Sequence, residues 1–323
     1  MKLPLRAVVF SWGSSMTRQA WPDLPYDAWK NTYETLHMWT QIVGKIRLAR
    51  MPWLNHTWHV ALYPTVSGLT TGRIPYDNEA FEIDFDFLTH ELNIRTTRGE
   101  HGVIQLVPMS VSQFYASVME AMTAFHMPVS IHRKPVEVES QLPFDEDDGH
   151  RSYDAEYATR CWRVVCSAAN VLGRFRSRFY GKASPVHFFW GSFDLAVTRF
   201  SGRAAPPHPG GVPNLPDHVT RDAYSHEVSS AGFWPGGARA PYPLFYSYAY
   251  PEPRGFAAAA VHPQSAHYDS TLHEFVLPYE DVRQANEPEK TLIAFLESTY
   301  AAAATLGAWD RSSLEVPPGT FAL

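Results

Sequence analysis

Residues 185–203 read PVHFFWGSFDLAVTRFSGR, an apolar run that carries His187, Asp194, Arg199 and Arg203 among aromatic side chains. Aromatic and β-branched residues favour strands, so the composition predicts a buried strand here. A buried ionisable group destabilises the fold unless it is paired or used chemically. This stretch is therefore the first place where we expect a functional site.

The same order of elements recurs in the two halves of the chain. Apolar residues at helical spacing predict amphipathic helices over 29–48 and 157–179. Each helix is followed by a run with an aromatic residue, a histidine and a glycine, then by an alternating strand, a short run ending in proline and a second helix. These ranges are 55–73, 81–87, 102–108 and 111–125 in the first half, and 184–203, 245–250, 273–278 and 292–306 in the second. The order predicts an α+β fold with an internal duplication of a helix–three antiparallel strands–helix unit, whose two halves form a cleft.

Changes of pattern predict five segments along the chain. They are an N-terminal extension at 1–28, a first repeat at 29–134, a linker at 135–154, a second repeat at 155–310 and a C-terminal tail at 311–323. The second repeat contains a stretch at 202–222 with five prolines, which no central strand accommodates. We expect a long loop there, typical of a lid or a wall of a site.

The composition indicates an ordered globular protein, since 45% of the 323 residues are hydrophobic and 19% are charged. The net charge of -6 argues against nucleic acid as a partner. Aromatic residues make up 14% of the chain, which favours aromatic-lined cavities and a small-molecule ligand. No apolar stretch approaches membrane-spanning length, and the apolar run at 7–12 is weak as a secretory segment, so we expect a cytoplasmic protein with no membrane partner.

Candidate catalytic residues are His187, Asp194 and Glu227, because histidine and carboxylates perform acid–base chemistry. His187 and Asp194 have opposite parity on a regular strand, and a bulge at Gly191 would bring them to a common face. The alternative is structural: His187 bonds a neighbouring carbonyl, and Asp194 pairs with Arg199 or caps a turn. For Glu227 the alternative is a position in an ordinary strand before a packed turn.

Candidate substrate-binding residues share either an aromatic ring or a positive charge. They are Trp190, Arg199, Tyr224, Trp234, Tyr246 and Tyr248. We expect Arg199 to bind an anionic group, the tryptophans to line the pocket and the tyrosine hydroxyls to form hydrogen bonds. The alternative for Tyr246 and Tyr248 is the exposed face of an antiparallel strand.

A divalent metal remains a candidate cofactor, with His187 and His226 as ligands, although no HExxH or CxxC motif supports it. The chain has no GxGxxG motif and no P-loop, so the sequence contains no nucleotide-cofactor motif. Six side chains of the first half could build the other side of the cleft. They are Asn55, His56, Trp58 and His59, together with the basic residues Lys45 and Arg73.

The stretches PVHFFWGSFDLAVTRFSGR, AYSHEVSSAGFWPGG and FYSYAYPEP resemble an uncharacterised bacterial family of the domain-of-unknown-function class. The resemblance extends through NHTWHVALYPTVSGLTTG and FEIDFDF, so it covers nearly the whole chain from about Trp29. It implies a soluble, stand-alone bacterial protein, and it carries over no activity, cofactor or residue role.

Two hypotheses of function follow from these residues. The first is an enzyme that acts on a small molecule in an aromatic-lined cleft by acid–base or metal-assisted chemistry. The alternative is a non-catalytic protein that binds a small molecule in the same cleft. The enzyme hypothesis in this form requires His187, Glu227 and Arg199 to converge on one solvent-accessible cavity.

Overall fold

Seven α-helices and twelve β-strands form the fold in residues 20–317, 319 and 320, which are the residues that the computed structural model describes. The helices are α1 (Tyr26–Arg50), α2 (Val111–Ala124), α3 (Ala155–Ser177), α4 (Asp217–Ala223), α5 (Tyr279–Arg283), α6 (Pro288–Leu306) and α7 (Arg311–Leu314). The predicted α+β class is confirmed. The apolar run at 7–12 and most of the predicted N-terminal extension lie outside the described residues.

The first sheet contains six antiparallel strands from the first half of the chain. They are β1 (Tyr63–Pro64), β2 (Gly68–Thr70), β3 (Ile74–Tyr76), β4 (Glu79–Asp86), β5 (Glu91–Thr96) and β6 (His101–Gln105). The spatial order is β1-β2-β4-β5-β6, and β3 pairs with β4 beside β2. Alternate residues of β4 are buried, because successive side chains of a strand point to opposite faces.

The second sheet also contains six antiparallel strands, in the order β11-β12-β10-β9-β8-β7. They are β7 (His187–Phe189), β8 (Asp194–Ala204), β9 (His226–Trp234), β10 (Leu244–Tyr250), β11 (His267–Asp269) and β12 (Glu274–Pro278). An isolated β-bridge joins the two sheets: the backbones of Leu62 and Phe188 exchange hydrogen bonds of 2.9 and 2.7 Å. The run at 185–203 is therefore a hairpin of β7 and β8 rather than one strand.

Helix α1 lies in the centre of the molecule and is buried along most of its length. Trp39, Ile42, Val43 and Ile46 are fully buried, and burial of each such side chain contributes about 1.5–3 kcal/mol. Gly44 allows another close contact, since a Cβ there would lie 2.2 Å from the Trp190 ring. One hydrophobic core includes side chains from both halves of the chain, so the halves pack as one body.

Each half begins with a long helix, continues through six strands and reaches another helix, but the strand orders of the two sheets differ. The internal duplication stays a prediction. The sequence pattern indicates three strands in each half because short strands such as β3 and β11 show no alternation. The longer strands β5 and β9 are also absent from the predicted set, since they are buried at successive rather than alternate positions. None of the described helices has the length and apolar character needed to cross a membrane.

Candidate functional site

A cavity of about 650 Å³ lies against one face of the second sheet. Its floor consists of alternate residues of β8, β9 and β10, as the two-residue period of a strand requires. These residues are Asp194, Ala196, Thr198, Phe200, Val228, Ser230, Tyr246 and Tyr248. The volume suits a small organic molecule.

The cover of the cavity comes from segments that are distant in sequence. It includes the C-terminal part of α1, residues 56–60, the segment 132–137 and the stretch 212–224, which contains α4. The predicted linker and the predicted long loop thus both form walls of the cavity. A second depression, of about 880 Å³, lies at the start of α1 and α2 and is more open, with mostly polar walls.

Hydrogen bonds fix the cover in place. The side-chain amide of Gln41 donates to the carbonyl of Val136 and accepts from its N–H, both over 2.9 Å. Asn214 Nδ2 donates to the carbonyl of Val138 over 2.7 Å, so the stretch 212–224 is bonded to the residue that follows the segment 132–137. A bond of 3.2 Å between His56 Nδ1 and the carbonyl of Ala223 holds the end of α4.

Asp194 begins β8 and is 7% exposed. Its Oδ1 accepts a hydrogen bond from the Ser192 hydroxyl, and its Oδ2 accepts one from the Tyr246 hydroxyl. Burial raises the pKa of Asp194, and the two hydroxyl donors oppose that shift because they stabilise the charged form. Asp194 is therefore a carboxyl whose ionised state has dedicated donors.

Glu137 lies in the cover of the cavity, on the segment 132–137, and has no such donors among the described residues. No side-chain hydrogen bond or ion pair involves its carboxyl within the described part of the chain, although its backbone N–H donates to Pro213 over 2.8 Å. Its φ of 59° is in the left-handed region, which is uncommon for a residue other than glycine. Burial, and then the negative charge of Asp194, raise the pKa of Glu137 to about 7.

The two carboxyls differ in what stabilises their charge. Because ionising two neighbouring buried carboxyls is costly, the hydroxyl donors of Asp194 favour placing the proton on Glu137, which lacks such donors among the described residues. A carboxyl that titrates near neutral pH is suited to act as a general acid or a general base. This chemistry needs a substrate atom within hydrogen-bond reach, and the cavity provides the space for it.

Three tyrosines complete the polar wall. The hydroxyls of Tyr224 and Tyr248 lie 2.7 Å apart, and Tyr246 donates to Asp194. Burial raises the pKa of Tyr248 to about 12 and raises that of Tyr246 well above its ordinary value. These phenols therefore stay protonated at neutral pH and serve as hydrogen-bond donors. Beside them the hydroxyls of Thr198 and Ser230 lie 2.9 Å apart.

Of the residues predicted from the sequence, several line this cavity. They are Asp194, Trp190, Tyr224, Tyr246 and Tyr248 from the second half, and Lys45, His56, Trp58 and His59 from the first. Their assignments as catalytic or binding residues remain predictions. The predicted cleft residues Asn55 and Arg73 are not part of the lining. The predicted convergence of His187, Glu227 and Arg199 on one cavity is not found, and each of them lies in a different environment.

Arg199 points to the opposite face of the second sheet from Asp194, because the two are an odd number of residues apart on β8. Its guanidinium lies 3.5 Å from the ring centre of Phe175 and 4.4 Å from that of Tyr300, and it donates to the carbonyl of Phe175. Arg199 thus packs between α3 and α6, away from the predicted partner Asp194.

Glu227 and His226 also lie outside the cavity. Glu227 accepts hydrogen bonds from Ser201 Oγ at 2.8 Å and from Arg203 Nη2 at 2.6 Å. The His226 ring lies 5.6 Å from the ring of His56, with its Nδ1 3.1 Å from Ser225 Oγ. The predicted pocket residue Trp234 packs instead with Leu244, Tyr246 and neighbouring side chains at the other end of β9.

His187 is fully buried beside Phe189 and Trp58, and neither ring nitrogen has a hydrogen-bond partner among the described residues. Burial lowers its pKa to about 3, so the ring is neutral at physiological pH. The carbonyl bond expected under the structural alternative is not formed. Over the described residues, no three His, Cys, Asp or Glu side chains are grouped in a way that could hold a metal ion.

Sequence reasoning missed Glu137, which it placed in a linker. The segment around it, KPVEVES, has the composition of a connecting loop and contains no recognisable motif. The contacts that bring Glu137 to the cavity come from Gln41 and Pro213, which are distant in the chain. No local signal in the sequence predicts these contacts.

Fold and site together define an α+β protein of two antiparallel sheets with a cavity over one face of the second sheet. The chain belongs to a family of unknown function, DUF5996, whose family model matches residues 21–316. The resemblance to an uncharacterised family is thereby confirmed. No match was found among curated proteins or among solved structures.

Proposed function

We propose that this protein is an enzyme that binds a small organic molecule in the cavity over the second sheet and transfers a proton to or from it through Glu137. One observation carries the proposal: the Glu137 carboxyl lines the cavity without a hydrogen-bond partner among the described residues, in the same cavity as the buried Asp194. A structural carboxyl would be paired, as Asp194 is with Ser192 and Tyr246.

The other walls suit the binding step. Trp190, Phe189 and Phe200 offer apolar surface for the body of the molecule. The phenol of Tyr248 donates a hydrogen bond to an oxygen or nitrogen of the substrate, and the Tyr246 oxygen, whose hydrogen bonds Asp194, accepts one. Ser192 and Tyr246 stabilise the ionised form of Asp194, and the negative charge of that form raises the proton affinity of Glu137. Glu137 then donates or accepts a proton at neutral pH.

A second candidate function is binding without catalysis. It is favoured by the extent to which the polar groups of the floor already satisfy one another, as in the pairs Tyr224–Tyr248 and Thr198–Ser230. Such a preorganised wall binds a ligand at low cost without any proton transfer.

A turnover experiment separates the two candidates. The purified protein is incubated with a defined mixture of small organic metabolites, and mass spectrometry follows which compounds are bound and which are converted. For an enzyme, Glu137→Gln slows conversion by about a hundredfold or more while binding persists. Glu139→Gln is the matched control, because this exposed glutamate is on the same segment but outside the cavity lining.

The cavity itself is tested by Ala196→Trp, which fills the floor with an indole ring. We expect this variant to lose both binding and conversion. Conversion by Glu137→Gln at the rate of the unchanged protein would contradict the catalytic proposal. Retention of a compound that is never converted, with loss of that retention in Ala196→Trp, would favour the binding protein.

A further inference from the structure

We infer that the molecule bound in the cavity is an organic anion, and that its negatively charged group pairs with the ammonium group of Lys45. This inference rests on the proposed function insofar as both use the same cavity. It adds the chemical class of the ligand and the end of the cavity at which its charge is bound.

Lys45 is near the C-terminal end of α1 and is 4% exposed, yet it lines the cavity. Its Nζ lies 5.9 Å from the ring centres of both Trp190 and Phe144. Across the described residues, no carboxylate oxygen is within 4.0 Å of Nζ, and Nζ forms no hydrogen bond. The amine is thus buried in the protein, open to the cavity and without a counter-ion.

This environment is unusual for a lysine, since the side chain normally extends its amine into water. Two other lysines of the chain illustrate the usual arrangement. Lys182 Nζ lies 2.6 Å from His56 Nε2, and the largely exposed Lys290 pairs with Glu287 over 2.5 Å. A buried ammonium without a partner destabilises the fold, so an anion supplied by a ligand would compensate it.

The amine carries its charge under ordinary conditions. Burial lowers the pKa of Lys45 to about 8, which still leaves most of the molecules protonated at neutral pH. The faces of Trp190 and Phe144 stabilise the cation only weakly. A carboxylate or sulfonate would form a charge-assisted hydrogen bond with it, which is among the stronger polar contacts in proteins.

The other charged side chains of the cavity favour one orientation. The acidic side chains Asp194, Glu137 and Asp222 repel an anionic group wherever they are ionised, whereas the ammonium of Lys45 attracts it. The ligand therefore has an acidic group at one end and an apolar body along Trp190 and Phe189. Its reacting or polar part lies toward Glu137.

Two fluorescent probes of nearly the same ring system test this inference. 8-Anilinonaphthalene-1-sulfonate is anionic, and N-phenyl-1-naphthylamine is its neutral counterpart. We expect the unchanged protein to bind the anionic probe more tightly. Lys45→Met should weaken the affinity for the anionic probe by about tenfold or more and change the affinity for the neutral probe by less than about twofold. Lys290→Met, the same change at the largely exposed lysine on α6, should alter neither affinity.

Several results would overturn the inference. They are an equal loss of both probes in Lys45→Met, unchanged binding of the anionic probe in that variant, or no preference for it in the unchanged protein. If Lys45→Met does not fold, Lys45→Gln takes its place. The preference of the unchanged protein for the anionic probe over the neutral one is measured in either case.

The same probes distinguish failure of this inference from failure of the proposed function. Ala196→Trp should bind neither probe. If this variant still binds them, the cavity is not the binding site and both proposals fail. If Ala196→Trp loses the probes while Lys45→Met retains the anionic one, only the role of Lys45 is refuted. Glu137→Gln should bind the anionic probe at least as well as the unchanged protein, because it removes a negative charge.

Discussion

The carboxyl of Glu137 occupies the space that a side chain at Gly191 would need, since a Cβ there would lie 2.0 Å from Oε1 of Glu137. On its other side, the carbonyl of Gly191 accepts a hydrogen bond of 2.8 Å from Nε2 of His37 on α1. Burial lowers the pKa of His37 to about 4, so this ring is neutral at physiological pH. Gly191 is thus held against the central helix and leaves room for the carboxyl.

The first prediction concerns Gly191→Ala. The new methyl group meets the end of a flexible side chain, so Glu137 moves into the cavity and the free energy of unfolding falls by only about 1 kcal/mol. In the more hydrated cavity the pKa of Glu137 returns toward its ordinary value of 4.5. Titration of ¹³C-labelled glutamate carboxyls by NMR measures this shift. An unchanged pKa of about 7 in the variant would contradict the contact between the two residues.

The second prediction is a dependence of stability on pH. The folded pKa of Glu137, about 7, lies above the ordinary value of 4.5, so its contribution is fully present below pH 4.5 and is lost as pH rises toward and through 7. Glu137→Gln removes this loss. At pH 8 the free energy of unfolding of the variant should therefore exceed that of the unchanged protein by about 1–3 kcal/mol, whereas at pH 4 the two should differ little. Urea unfolding at the two pH values measures the difference.

Two features sharpen that experiment. Glu274, whose pKa is raised by burial to about 8, causes a similar loss, so part of the decline remains in Glu137→Gln. Glu139→Gln should leave the pH dependence as it is, because that glutamate is exposed. A curve for Glu137→Gln that parallels the unchanged protein from pH 4 to pH 8 would refute the raised pKa.

The third prediction concerns the donors to Asp194. Tyr246→Phe removes the hydroxyl that bonds Oδ2, leaving a buried carboxylate oxygen without its donor. We expect a loss of about 1–3 kcal/mol in the free energy of unfolding and a further rise in the pKa of Asp194. Denaturant unfolding and carboxyl NMR measure the two effects. Tyr180→Phe, at an exposed tyrosine, is the control and should change neither quantity.

The fourth prediction compares two helical glycines. Gly44→Ala places a methyl group 2.2 Å from the rigid Trp190 ring, so it destabilises the protein by about 1–3 kcal/mol and moves one wall of the cavity. Gly173→Ala on α3 meets no atom within 4 Å and should stabilise by about 0.5–1 kcal/mol through helix propensity. Thermal unfolding should show a lower unfolding temperature for Gly44→Ala and a higher one for Gly173→Ala than for the unchanged protein. Equal effects would show that Trp190 does not pack on Gly44.

The elements with strong periodicity could be predicted from the sequence. Helices α1 and α3 were found within a few residues of their ends because their apolar residues recur at helical spacing. Strand β10 was predicted from alternation, which also put Tyr246 and Tyr248 on one face. The same rule separates Asp194 from Arg199, since the bulge expected at Gly191 precedes both residues and leaves their parity unchanged.

What could not be predicted depends on contacts between distant segments. Glu137 is part of the cavity wall because Gln41 clamps the neighbouring Val136. His187 is a candidate catalytic residue by its residue type, yet the packing of Phe189 and Trp58 around it excludes it from the cavity lining. Such outcomes follow from tertiary packing, which local composition does not encode.

The cavity has its floor on the second half of the chain and much of its cover on the first, joined through contacts such as that between His56 and Ala223. Binding of a ligand in this cavity is therefore thermodynamically linked to the folding of both halves. Saturating ligand raises the unfolding temperature of the whole molecule, and an isolated half has no cavity with which to respond. Thermal shift against compound collections is for this reason a direct route to the natural ligand.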